Sequence, residues 1–342
     1  MWAELAVAAF KVVLAATIVL TSVPIMVWVE RRGAALIQDR LGPNRVGPLG
    51  LFQPVIDVVK LLFKEHITPD GVHKGLYVLA PFLALMVSLT TFIVIPFGAG
   101  DDVTLFGVPF GGFTPADQLD VGVLYLLALG SLGVYGIVLA GWSSNNKYSL
   151  LGGLRSSAQL ISYELAMTMS VLGVLLATGS LRLGDVVAHQ QQHVWNAVPQ
   201  AIGFLTFLVA VFAETNRLPF DLAEAETELV AGYHVEYSSM KFAAFYMSEY
   251  INMFTASALA VTLFFGGWSL PGVQLTGWFG LIVSMGVFLL KVGFFLWLFV
   301  WVRWSLPRFR YDQLMSLGWK GLLPLATLNL VWVGVAMSLG WL

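Results

Sequence analysis

Eight apolar runs, each long enough to span a bilayer, leave this chain few ways to fold. They fall at roughly residues 2–29, 76–98, 118–142, 156–179, 194–213, 240–266, 279–302 and 322–341. A helix needs about 20 apolar residues to cross a hydrocarbon core. Composition agrees, because 58% of the 342 residues are hydrophobic and only 11% are charged, where soluble domains carry roughly 25% charged residues. The expected fold is all-α, a polytopic membrane helix bundle with eight transmembrane helices. The spans are too closely linked for separate domains, so residues 1–342 are read as a single integral membrane domain.

The paired Arg31 and Arg32 follow the first apolar run, whereas a cleaved signal peptide carries its positive residues ahead of it. The first run is therefore a retained span with its N-terminus outside. Cytoplasmic loops are enriched in Lys and Arg, which tests that orientation. The loop after the first span carries Arg31, Arg32, Arg40, Arg45, Lys60, Lys64 and Lys74. Loops 143–155, 214–240 and 303–321 hold further cations, among them Lys147, Arg155, Arg217, Arg303, Arg308, Arg310 and Lys320. The opposite loops offer only Arg182. Both termini are thus expected on the outer, periplasmic side of a bacterial plasma (inner) membrane.

The first inside loop, 30–75, changes character half-way. Gly42, Pro43, Asn44, Gly47, Pro48 and Gly50 are turn formers. LFQPVIDVVKLLFKE then reads as a short helix with Pro54 tolerated in its first turn. Asp57, Lys60 and Lys64, at i, i+3 and i+7, draw a narrow polar stripe on an otherwise apolar cylinder. Such an amphipathic helix suits the membrane interface or the flank of other spans.

The chain has no cysteine, so it offers no thiolate to an iron–sulfur cluster, and any such cluster belongs to another subunit. Its histidines do not suggest a metal site. His189 and His193 are four apart in HQQQH, but that stretch lies on the lysine-poor side and reads as a polar outside loop.

A charge inside a span costs roughly 2.5–3.5 kcal/mol on insertion scales, so each one invites a functional explanation. Lys11, Glu164, Glu249 and Lys291 stand within apolar runs. Lys11 lies early enough to reach the interface by snorkelling. The shorter Glu164 and Glu249 have less reach and are read as functional.

The densest charge lies between the fifth and sixth spans, in AETNRLPFDLAEAETELVAGYHVEY. It holds Glu214, Asp221, Glu224, Glu226, Glu228 and Glu236, with Arg217 as the one cation. Pro219 suits a helix start, which would place Asp221, Glu224 and Glu228 along one face. In open water their repulsion costs a few tenths of a kcal/mol per pair, and the segment is an acidic docking loop. Yet Leu218, Phe220, Leu222, Leu229 and Val230 interleave the acids. If the segment is buried, desolvation and repulsion favour neutral carboxyls, and the group becomes a coupled proton reservoir. Residue types alone leave both readings open.

Three segments carry a resemblance. ERRGAALIQDRLGPNRVGPLGLFQPVIDVVKLLFKE, AETNRLPFDLAEAETELVAGYHVEYSSMKFA and VRWSLPRFRYDQLM closely resemble the signature segments of a membrane-subunit family, the quinone-chamber subunit of proton-pumping NADH:quinone oxidoreductase, respiratory complex I. The likeness extends over nearly the whole chain. It implies a subunit without a redox centre that forms a quinone access tunnel and couples quinone reduction to proton translocation. Carried over by motif, Glu30, Arg31, Arg40, Arg45 and Asp57 belong to the tunnel and its flanking loop, and Phe52, Phe63 and Phe220 can supply its apolar lining. Tyr163, Glu164, Glu214, Arg217, Asp221, Glu224, Glu226, Glu228 and Glu249 are implied in proton coupling. Lys291, Arg303, Arg308 and Arg310 are assigned to cavity lining or subunit contact.

The same resemblance implies quinone as substrate, with FMN and iron–sulfur clusters in partner subunits. The partners it implies are the soluble quinone-site and iron–sulfur subunits, small membrane subunits, antiporter-like subunits and membrane lipid, with no nucleic acid. Two other readings remain open on the sequence. One is the equivalent anchor of a membrane-bound hydrogenase or related quinone reductase. The other is a stand-alone ion transporter, since intramembrane Glu and Lys also mark ion paths, although the long basic loop 30–75 favours a chain built to meet partners.

Overall fold

The structure is a computed structural model that describes residues 2–98, 103–105, 108–110, 113–116, 119–223, 230–270, 273 and 276–341. Its helices are α1 (Trp2–Ile37), α2 (Gln53–Phe63), α3 (Lys74–Thr91), α4 (Gly122–Ser143), α5 (Lys147–Thr178), α6 (Leu183–Gln192), α7 (Ala201–Glu214), α8 (Ser239–Phe264) and α9 (Gly277–Ser305). The last, α10 (Tyr311–Ser338), runs through a π-helical turn at Leu317–Leu322. Among the described residues the one pair of strands is β1 (Thr104–Leu105), antiparallel to β2 (Val108–Pro109).

Among the described residues six helices, α1, α3, α4, α5, α9 and α10, are long and apolar enough to cross a membrane. The expected fifth and sixth spans are helices in the expected places that fall short of that measure. α7 has only 14 residues. α8 has 26 residues but carries Lys241, Glu249 and several Ser, Asn and Thr side chains. It can be this polar because neighbours enclose it: α1, α3, α7 and α9 all pack on it, and every residue from Ser257 to Phe264 is buried.

Local chemistry sets the ends of α5. The Asn146 side chain accepts a hydrogen bond from the Tyr148 amide at 2.9 Å, a standard N-cap, and Gly179 closes the helix in the left-handed region at φ 67°. The helix begins well before the apolar run at 156–179. Its first turns are rich in small residues, and Ser149, Gly152, Gly153 and Ser156 are buried by contact with other protein segments instead of by greasiness.

Three expectations meet different structures. The HQQQH stretch, read as a polar loop, ends a helix, α6. Gln190 ties it down: its amide donates to the Thr262 carbonyl at 2.9 Å, and its oxygen accepts from the Gly266 and Asn196 amides. Loop 143–155 is mostly the start of α5. Pro219 opens no helix among the described residues; the Leu218–Pro219 peptide is cis, and residues 215–223 run through turns. Asp221 is therefore not on a helical face, and Glu224, Glu226 and Glu228 lie outside the described residues.

Candidate functional site

Arg217 stands at the centre of the site. The turn after α7 carries it inward until it is 5% exposed. Its Nη1 lies 3.6 Å from Glu30 of α1, and its Nη2 lies 3.9 Å from Glu249 of α8. The guanidinium sits 4.5 Å from the centroid of the Tyr250 ring, a cation–π geometry. The Tyr250 hydroxyl donates to Glu30 at 2.7 Å. Arg303, at the end of α9, forms a second ion pair with Glu30. Burial opposes the charge on Arg217, but Tyr250, Glu30 and Glu249 more than compensate and hold it firmly protonated. Its Nε and Nη2 make no hydrogen bond among the described residues.

Glu249 joins this cluster to a second one. Tyr233 donates to its other oxygen at 3.1 Å. Glu249, Glu164 of α5 and Glu214 at the end of α7 line one internal cavity of about 100 Å³. About 10–15 Å³ of such space holds one water, so the cavity can accommodate several. Ser88, Ser248 and Asn252 are among its polar lining. Ser131 of α4 donates to Glu164. Three carboxyl groups from three helices thus line one mostly apolar cavity, and Glu249 links it to the Arg217 guanidinium.

A third group surrounds the turn itself. Gln159 of α5 donates to the carbonyls of Ala213 at 2.7 Å and Phe220 at 2.8 Å, bracing the turn at both ends. Phe220 packs against Tyr163 and Phe309, with ring centroids 5.5 and 5.4 Å away. Tyr163 donates to the Leu314 carbonyl at 2.8 Å. Asp221 pairs with Arg308 at 3.0 Å.

Beyond Glu30, two more of the expected residues in loop 30–75 meet each other. Arg31 donates to Asp57 of α2 at 2.5 Å, which fastens α2 to the end of α1. Both side chains are partly exposed, so the bond fixes geometry more than it stabilises. Phe52 and Phe63 are exposed, and Arg45 faces solvent. Phe220, expected beside Arg31 and Asp57, instead joins the Tyr163 group. Arg310 makes a surface pair with Asp312 at 3.1 Å. Lys291 donates to the carbonyls of Phe265, Gly267 and Ser269 at 2.8–3.0 Å and so ties α9 to the end of α8. No cluster of three or more potential metal ligands occurs among the described residues.

A family described as NADH dehydrogenase matches residues 10–334. The chain belongs to this family. Its relatives include the H subunit of the NADH-quinone oxidoreductase of Leptospira biflexa, 50% identical over 94% of this chain and 92% of that protein. The corresponding NADH-quinone oxidoreductase protein of Deinococcus deserti is 52% identical over 94% of this chain and 82% of its own length. That of Protochlamydia amoebophila is 51% identical over 91% of each. The NADH dehydrogenase family membership expected from the three signature segments is thereby established.

Within this NADH dehydrogenase chain, several contacts are invisible in the sequence. Tyr250 adjoins Glu249 in the sequence and turns to a different carboxylate, Glu30. Tyr233, Ser131 and Gln159 carry no charge, so a search for costly intramembrane ions passes over them. Only Tyr233 stands within the acidic stretch, while Ser131 and Gln159 have no acid within four residues, so nothing in the residue order marks them.

Proposed function

We propose that the chain is the membrane subunit of NADH:quinone oxidoreductase that walls a quinone tunnel and passes the charge change of quinone reduction to buried carboxyls. The observation that carries this reading is Arg217, held between Glu30 on one side and Glu249 on the other. Glu30, Arg31, Arg40, Arg45 and Asp57, with Phe52 and Phe63, belong to the quinone side of this scheme. Glu164, Glu214, Glu249, Tyr163 and the acidic stretch 221–228 belong to the proton side.

A quinone that accepts two electrons takes up two protons, and charge appears locally before the protons arrive. Where water is scarce, charges a few ångströms apart interact far more strongly than in solution. Negative charge near Glu30 draws on the field of Arg217, the same cation that stabilises an ionised Glu249. Glu249 then loses part of its stabilising partner, and the change reaches Glu164 and Glu214 through the cavity the three share.

In this reading eight helices cross the bilayer, with both termini outside. α7 and α8 are spans shielded by their neighbours, and α2 lies in the interface with Val55, Val58, Val59 and Leu62 outward. Soluble subunits bring FMN and the iron–sulfur clusters and dock on loops 30–75, 143–155, 214–240 and 303–321 of one continuous domain.

The test is Glu249→Gln in the assembled enzyme. NADH oxidation by an artificial acceptor is expected to be unchanged, while protons translocated per quinone reduced collapse. An unaltered proton yield would remove Glu249 from the path. For the tunnel, Arg31→Ala is expected to weaken quinone reduction alone; equal loss with the artificial acceptor would count against it.

A further inference from the structure

A groove of about 460 Å³ opens on the face of α1 that meets α9, lined by Trp28, Arg32, Leu36, Arg40, Leu41 and Trp297. Gly33 allows the α1 backbone to lie against Trp297 and Val300, so the indole forms the floor where a larger residue would fill it. Neither arginine has a carboxylate partner among the described residues. Arg40 donates to Gln38 at 2.7 Å, and Arg32 lies 6.0 Å from the Trp28 ring centroid. From the groove an apolar stripe runs along α9: Leu290, Phe294, Trp297 and Trp301, at i, i+4, i+7 and i+11, are all exposed.

The two halves call for an amphipathic occupant. Two guanidinium forks without acids match a phosphodiester, and Arg suits bidentate phosphate contact better than Lys. Tryptophans at the boundary and an exposed apolar stripe beyond them match an acyl chain. Basic pockets between membrane helices recognise anionic headgroups by this chemistry. A neutral quinone would leave both cations unanswered, and a partner helix seated here would have to bring an acid to them.

We propose that this groove binds an acidic phospholipid, its phosphate between Arg32 and Arg40 and one acyl chain along Trp297 and the α9 stripe. The site lies apart from the Arg217 cluster and meets the coupling scheme only at Arg40, which here faces a lipid phosphate in place of the quinone.

The test uses the assembled enzyme in phosphatidylcholine nanodiscs doped with a phosphatidylglycerol that carries a photoreactive acyl chain. Labelling is expected in peptides spanning Arg32–Arg40 and Trp297. Unlabelled phosphatidylglycerol should compete, whereas phosphatidylcholine and inorganic phosphate should not. Arg32→Gln should lower labelling about tenfold, the size expected for losing one charge-assisted hydrogen bond, while Arg32→Lys retains part of it. Equal labelling by a photoreactive phosphatidylcholine would overturn the proposal, as would competition by free phosphate. So would a helix from another protein of the complex crosslinked in the groove. The competition experiment needs only the native enzyme and stands even if the variants do not assemble.

Discussion

Arg217 of the turn after α7 reaches across the bundle to stand 3.6 Å from Glu30 of α1. The pair is buried, and the same guanidinium serves Glu249 at 3.9 Å. One cation therefore sets the electrostatics of two carboxylates that lie in different helices. Removing one partner of a buried pair costs roughly 3–5 kcal/mol, because the other charge stays desolvated. Arg217→Gln is expected to lower the stability of the protein by an amount in that range and to abolish coupled quinone reduction. Arg217→Lys should keep assembly but not full activity, since a point charge cannot face Glu30, Glu249 and the Tyr250 ring together. Thermal unfolding and proton-to-quinone ratios on the purified variants check both.

Gly152 offers a test that touches no acid. A Cβ there would stand 2.8 Å from the backbone of Gly232 and Tyr233, and Ser149 already holds the Tyr233 carbonyl at 2.8 Å. Gly152→Ala is expected to push this segment off α5 and loosen the bond from Tyr233 to Glu249. Overpacking of this kind costs about 1–3 kcal/mol. Proton translocation should fall while the acceptor reaction with NADH holds. Gly75→Ala, where a Cβ meets open space, serves as the control and should leave both unchanged.

Lys291 closes the end of α8 with three carbonyl contacts, and a cation is favoured at a helix C-terminus. Lys291→Met keeps most of the apolar stem and deletes the donor. Each carbonyl left dry costs roughly 1–3 kcal/mol, so faster hydrogen exchange is expected at the end of α8 and in residues 265–269. Exchange rates equal to those of the native enzyme would show that water replaces the ammonium without loss.

His189 gives a pH signature away from the carboxylates. Its ring stacks on His193, with centroids 4.5 Å apart. Burial, and then the neighbouring His193, push its pKa below the ordinary histidine value. The folded state thus holds fewer protons than the unfolded state, and acid favours unfolding. Local stability should be complete above about pH 6.5, the unfolded value, and should decline as the pH falls below it. Amide exchange of α6 measured between pH 8 and pH 5.5 should speed up on acidification beyond the intrinsic rate, and His189→Gln should remove that dependence.

The sequence by itself determined the membrane character, the helical class and most helix positions, because hydropathy is a sum over neighbours along the chain. It also revealed the absence of thiolate ligands, the turn-rich loop leading into α2, and the acids that a bilayer makes expensive. α8 was legible as an apolar run, but its reduced greasiness made sense only once α1, α3, α7 and α9 were seen to enclose it. Pairing was decided by tertiary structure alone. Ion pairs act over about 4 Å between groups on different helices, and nothing in residue order specifies that Arg217 faces Glu30 and Glu249 while Arg308 takes Asp221. The same holds for Phe220, whose packing against Tyr163 and Phe309 depends on a turn at a proline where local propensity favours a helix. Burial and partner choice are properties of the assembled bundle, so the site became readable only when helices distant in sequence were placed side by side.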